Sequence, residues 1–190
     1  MLVAIAVVGG SIVFVFAQGY ISETQISGTP QIEFVKIIGY DTRDESPLMI
    51  HNGLDILPPN CCGDNSDNLK TVDERIAIYI QNNSVQPITI SKLTLGGVEY
   101  QYTSSLLLGP WQAGGVGPQP GEYVIMTGPD GTVNGNILQE GSPRIQPGEI
   151  VTVLLDLDNT IKNGRDLQVN IITSKGNVFV STLIVGQDTP

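Results

Sequence analysis

The side chains best suited to chemistry in this chain are few and scattered. His51 is the only histidine, and it stands in Met49-Ile50-His51-Asn52-Gly53 with no nucleophile motif beside it, so a triad would hang on one loop residue. Two clusters of oxygen donors, Gly63-Asp64-Asn65-Ser66-Asp67-Asn68 and Asp156-Leu157-Asp158-Asn159-Thr160, contain residue types that hold calcium. Neither has the glycine and distal glutamate of an EF-hand in register, and both read as solvated turns. Gly114-Gly115-Val116-Gly117 lacks the lysine and the strand-to-helix setting of a phosphate loop. From these patterns we expect no enzyme, no catalytic residue, no cofactor and no metal.

Two sites invite covalent chemistry of another kind. Cys61 and Cys62 are the only cysteines and are neighbours, so they cannot staple distant loops and lack the separated spacing of a structural zinc site. A vicinal disulfide is the leading expectation, with free thiols and bridges to neighbouring subunits as the alternatives. Asn82-Asn83-Ser84 is the single N-x-[ST] sequon. It falls in a predicted turn, which makes Asn82 a candidate glycosylation site.

The elements that must carry these residues fall into two kinds. From Met1 to Ala17 there is no charge, and Ser11 is the only polar side chain. A spanning helix needs about 20 apolar residues, so this run is at the short limit for an anchor. A secretory signal peptide, a membrane anchor and a helix buried among copies of itself all compete for it, and no Lys or Arg precedes it as a signal peptide would require. We expect a sequence that begins within a longer hydrophobic segment or at a processing site. Ala6 and Gly10, four apart, would let helices approach closely. Tyr20, Ile21 and Ile26 continue an apolar stripe until Gly28 and Pro30 supply a stop, so a hydrophobic helix is predicted over residues 1–27.

From residue 28 to 190 the period changes to two, and this stretch is read as the globular domain. Residues 31–40 set Ile32, Phe34 and Lys36 on one side and Glu33, Val35 and Ile37 on the other. Residues 74–83 are cleaner, with Ile76, Ile78 and Ile80 opposite Arg75, Ala77, Tyr79 and Gln81. Residues 87–103 give two strands around Gly96-Gly97, and further strands follow at 123–127, 149–157, 166–173 and 177–185. Long irregular stretches at 41–72, 104–122 and 128–148 separate them, the second holding the only tryptophan, Trp111. No amphipathic helical pattern follows residue 30, which favours an antiparallel immunoglobulin-like β-sandwich. The expected fold class is therefore α+β, a long N-terminal hydrophobic α-helix followed by that sandwich.

A formal net charge of −10 and a pI near 4.3 argue against a nucleic-acid partner, which needs a basic surface. The stretch from Leu2 to Gln25 resembles the hydrophobic N-terminal segment of archaeal type IV pilins and archaellins, which continues directly into a β-sandwich. Residues 75–97 and 145–180 resemble the strands of such surface subunits more loosely. The glutamate that bacterial pilins carry near the start of the mature helix has no counterpart, since position 5 is Ile5. The resemblance implies a structural subunit of an extracellular, type IV pilus-like cell-surface filament, membrane-inserted before assembly. Its partners would be identical subunits, with a prepilin peptidase and a pilus assembly machinery acting on it. Leu2, Val3, Ile5, Ala6, Val8, Gly9, Gly10, Ile12, Val13, Phe14 and Phe16 would form the polymerisation helix. The alternative is a single-pass membrane-anchored ectodomain acting as an adhesion or binding module.

Overall fold

β-branched and aromatic residues at alternate positions build the longer strands of the described chain. The computed structural model describes residues 32–56, 68–104, 118–129, 136–138 and 141–189. By compactness the chain divides into Met1–Ile32 and Glu33–Pro190, and apart from Ile32 everything below belongs to the second unit. The helix expected over 1–27, with its polymerisation residues Leu2 to Phe16, and the Cys61–Cys62 pair lie outside the described residues.

The strands run in order as β1 (Val35–Asp41), β2 (Leu69–Lys70), β3 (Arg75–Asn82), β4 (Ile88–Leu95), β5 (Val98–Tyr102), β6 (Glu122–Pro129) and β7 (Asn136–Leu138). They continue as β8 (Arg144–Ile145), β9 (Ile150–Asp156), β10 (Ile161–Lys162), β11 (Asp166–Thr173), β12 (Val178–Ile184) and β13 (Asp188–Thr189). Hydrogen bonding links them in one path, β12-β11-β4-β5-β6-β9-β3-β1-β13, with β7 on β6 and β8 on β4, while β10 and β2 make a separate pair.

The expected α+β class with an immunoglobulin-like sandwich is corrected here. Among the described residues there is no helix, and the main strands form a single curled sheet rather than two. Strand count and turn spacing cannot separate these outcomes. What decides it is a short parallel pairing of β5 with β6, Gln101 opposite Glu122 and Tyr102 opposite Tyr123. Gln101 N–H donates to Gly121 O (2.9 Å) and Thr103 N–H to Tyr123 O (3.0 Å), so the two halves of the sheet are hydrogen-bonded to each other.

Curling brings the inward faces of both halves onto one core. Ile76, Ile78 and Ile80 of β3 and Val151, Val153 and Leu155 of β9 meet Leu93 and Leu95 of β4 and Val169 and Ile171 of β11 there. Each such side chain, fully removed from water, contributes about 1.5–3 kcal/mol. A second, smaller cluster lies on the opposite face of β3, β6 and β9, where Ala77, Tyr79, Val124, Met126 and Leu154 are covered by Leu48, Ile50 and Ile56. Asp41 holds that cover in place. Its buried carboxylate accepts Met49 N–H at 2.9 Å and the Arg43 guanidinium at 2.7 and 2.9 Å. Tyr79 adds a bond from its hydroxyl to Met49 O at 2.9 Å.

Two glycines are dictated by geometry. Gly96 and Gly97, at φ 58° and 89°, make the tight turn joining β4 to β5. A Cβ on Gly39 would lie 2.8 Å from Thr189 O and 2.9 Å from the Tyr79 ring, so only glycine lets β13 pair with β1 at the bulge there.

Candidate functional site

The place where residues 1–32 join the domain is built around one buried acid. Glu33 precedes β1, and its inward position follows from the alternation that turns Val35 and Ile37 inward too. Its Oε2 accepts the Thr173 hydroxyl and, at 2.9 Å, the Asn177 side-chain amide, both on the β11–β12 hairpin. Lys175 Nζ stands 3.8 Å from Oε1, an oxygen that is buried without a hydrogen-bond partner. On the next residue, Phe34 N–H donates to Ser84 Oγ (2.7 Å) and Phe34 O accepts Asn83 N–H (2.8 Å). The first residues of the domain are thus tied to the β3–β4 turn on one side and to the β11–β12 hairpin on the other.

The surface around this tie is apolar where it meets water. Phe34 is 53% exposed and Val85, next to Ser84, is 82% exposed. Isolated apolar residues on a surface are ordinary, but these two are set on adjacent backbone at the end of the domain where residues 1–32 join it.

Of the side chains singled out from sequence, those among the described residues have definite places. His51 sits in the cover over the outer face, its N–H donating to Thr152 Oγ1 (2.9 Å) and its Nδ1 3.0 Å from the same oxygen. Burial lowers its pKa, with Glu149 pulling the other way. It lines a cleft of about 360 Å³ with Asp41, Met49, Tyr79 and Asp188. Thr152 is fully buried, so this pair fastens the cover to β9 rather than presenting a hydroxyl to solvent.

Asn82 is fully buried. Its Nδ2 donates to Gln86 O and Ile145 O, each at 3.0 Å, and its Oδ1 accepts Ser84 N–H at 2.9 Å. A glycan bond to Nδ2 would replace one of its two hydrogens, so at least one of the donated bonds would be given up. The sequon spacing was legible, but the burial of its asparagine by β8 was not.

In the Asp156–Thr160 cluster the donors diverge. Asp156 turns inward to Arg75 Nε (3.2 Å), while Asp158, Asn159 and Thr160 are exposed. Among the described residues no group of three or more His, Cys, Asp or Glu could hold a metal ion. Of the first cluster only Asn68 is described, in a left-handed conformation at φ 61°. Sequence reasoning placed Glu33 on the correct face but gave it no role. The signal available was an acid at an inward position of an alternating strand.

No family model matches the chain, and no curated protein matches it. Among solved structures, the archaellum periplasmic stator protein FlaG from Sulfolobus acidocaldarius is 11% identical, covering 80% of this chain and 100% of that one at a TM-score of 0.32. The flagellar-like filament Iho670 is 11% identical, covering 96% and 95% at a TM-score of 0.41. A complex of FlaF and FlaG from the same Sulfolobus is 13% identical over 63% and 91%, with a TM-score of 0.27. Likeness at this level assigns neither family nor function. Among the described residues no helix is long and apolar enough to cross a membrane.

Proposed function

We propose that this chain is a structural subunit of a cell-surface filament of the type IV pilus-like kind, in which the apolar stretch Met1–Ala17 supplies contacts between copies and the β domain faces outward. The tie at Glu33 is the observation that carries this reading. Its bonds, with those of Phe34, spread any pull along the chain at residue 33 over β1, β3 and the β11–β12 hairpin, rather than over one peelable strand. Such an arrangement suits a subunit that carries tension at the point where its polymerising segment enters. Phe34 and Val85 add apolar surface beside it for neighbouring copies. The net charge of −10 keeps the outer surface soluble.

The test is electron microscopy of material sheared from cells that express the chain, with Val8→Asp and Val13→Asp as variants. A buried unpaired carboxylate costs several kcal/mol, so both variants are expected to lose filaments. Filaments of normal yield from both would overturn the proposal. Wild-type cells that carry the protein singly on the surface would favour an anchored ectodomain instead.

A further inference from the structure

The hairpin that receives Glu33 also forms an edge of the sheet, and its hydrogen-bonding pattern can be read residue by residue. β12 pairs with β11 in seven successive register positions without a bulge, from Asp166 opposite Ile184 to Ile172 opposite Val178. At one end Thr173 N–H donates to Asn177 O, and at the other Val185 N–H donates to Arg165 O. Antiparallel pairs alternate between hydrogen-bonded and non-bonded, so residues 177, 179, 181, 183 and 185 spend their backbone groups on β11. The N–H and C=O of Val178, Val180, Thr182 and Ile184 point the other way. Ile184 is already satisfied, its N–H by the Tyr40 hydroxyl (3.3 Å) and its carbonyl by Thr42 Oγ1 (2.7 Å). Among the described residues no group pairs with the outward N–H and C=O of Val178, Val180 and Thr182, which leaves three outward pairs of donor and acceptor.

The opposite edge of the sheet is protected and this one is not. β1 carries the exposed Lys36, is bulged at Gly39 and is capped by β13. β12 has no charge, proline or bulge from Asn177 to Val185, and exposes the side chains of Val178 (56%) and Val180 (55%). A bare apolar edge is a template for another strand.

We propose that β12 pairs with β12 of a second copy of this chain in an antiparallel, two-fold arrangement centred on Val180. The choice of occupant follows from parity and charge. In an antiparallel pair centred on Val180, Val178 faces Thr182 of the second copy and Val180 faces its own counterpart, so every outward group meets an outward group. Two chains of net charge −10 repel, and this uncharged edge is where strands can meet without setting like charges opposite each other. The result joins two sheets into one and gives surface subunits a contact separate from their N-terminal stretches. This inference does not depend on the filament reading, because the N-terminal stretch is unchanged in every variant below.

The test uses the full chain in mild detergent. In a hydrogen-bonded antiparallel pair the Cα atoms are about 5.5 Å apart, within disulfide reach. Val180→Cys should therefore yield, on gentle oxidation, a Cys-to-Cys cross-link between copies at position 180, identified by peptide mass spectrometry. Leu54→Cys, exposed to a similar degree (48%) in the segment that covers the outer face of β3, β6 and β9, should yield much less. Val180→Pro removes one outward N–H at a position where an edge strand tolerates proline. Thr182→Lys adds a charge there. Both should weaken self-association at least about tenfold by sedimentation while leaving the far-ultraviolet circular dichroism unchanged. Equal cross-linking at 54 and 180, or self-association unaltered by both edge variants, would overturn the proposal.

Discussion

Two buried ionisable side chains work against the fold at neutral pH, in opposite directions as pH changes. Burial pushes the Asp156 carboxyl up to about 6, with Arg75 opposing, and one of its oxygens is buried without a partner. The folded state then holds this proton up to about pH 6 and the unfolded chain only to about 3.8, so stability falls as pH rises between those values. Lys70, fully buried in β2, is brought down to about 8 by burial against the pull of Glu74, Asp44 and Asp41. Here the unfolded chain keeps its proton longer, so stability rises with pH from about 8 to 10.5. Urea midpoints measured from pH 4 to 10.5 should dip between about 6 and 8. Asp156→Asn should flatten the acid limb by on the order of 1–3 kcal/mol, and Lys70→Met the alkaline limb. Limbs unchanged by these variants would show that neither group is desolvated as described. Asn82 is the other residue with a sharp expectation. Replacing it with Ala leaves two backbone carbonyls and one N–H without their side-chain partner, costing about 2–3 kcal/mol in denaturant unfolding. Intact mass and peptide mapping of the folded protein should find Asn82 unmodified, and a glycopeptide there would contradict the bonding seen.

At the scale of elements, the Glu33 tie separates two ways of holding a strand. The β1–β3 ladder alone would keep Val35–Asp41 in the sheet, while Glu33 adds a link to the far hairpin. Glu33→Ala should leave the global fold intact at a cost of about 1–3 kcal/mol. It should speed amide hydrogen exchange selectively at residues 33–37 and 173–178. Uniform acceleration, or none, would show that the tie is not local. The longer strands were legible from alternation: β1 turns Val35 inward and Lys36 outward, Phe34 just before it faces outward too, and β3 turns Ile76, Ile78 and Ile80 to the main core, as the period of two requires. Strands of two or three residues, β2, β7, β8, β10 and β13, carry no period to read. The parallel β5–β6 contact was equally hidden, because it joins segments separated by residues 103–121 and leaves no local pattern. One missed feature did have a signal. Ile150-Val151-Thr152-Val153-Leu154-Leu155 is apolar almost without alternation, the mark of a strand covered on both faces, and β9 is indeed covered on its outer side by Leu48, Ile50 and Ile56.

For the whole molecule, the division after Ile32 sets apart the unit that holds the described core, Glu33–Pro190. Among the described residues, every member of both hydrophobic clusters lies between Val35 and Leu183, and removing residues 1–31 takes away one charged side chain, Glu23. A chain of residues 32–190 should therefore unfold cooperatively and stay soluble, because its core and its negative charge are both retained. What it loses is the stretch Met1–Ala17, whose exposure to water is the driving force for assembly under the filament reading. The truncated chain should sediment as monomer in equilibrium with a dimer at the β12 edge and nothing larger. The full chain, transferred from detergent, should give regular filaments of fixed diameter. The comparison also sorts the two contacts. Val180→Pro in the truncated chain should abolish the dimer, whereas in the full chain it should leave filament formation in place. Large polymers from the truncated chain would move the assembly contact into the β domain. Only amorphous aggregate from the full chain, with no filament on expressing cells, would leave this protein an ectodomain that acts singly.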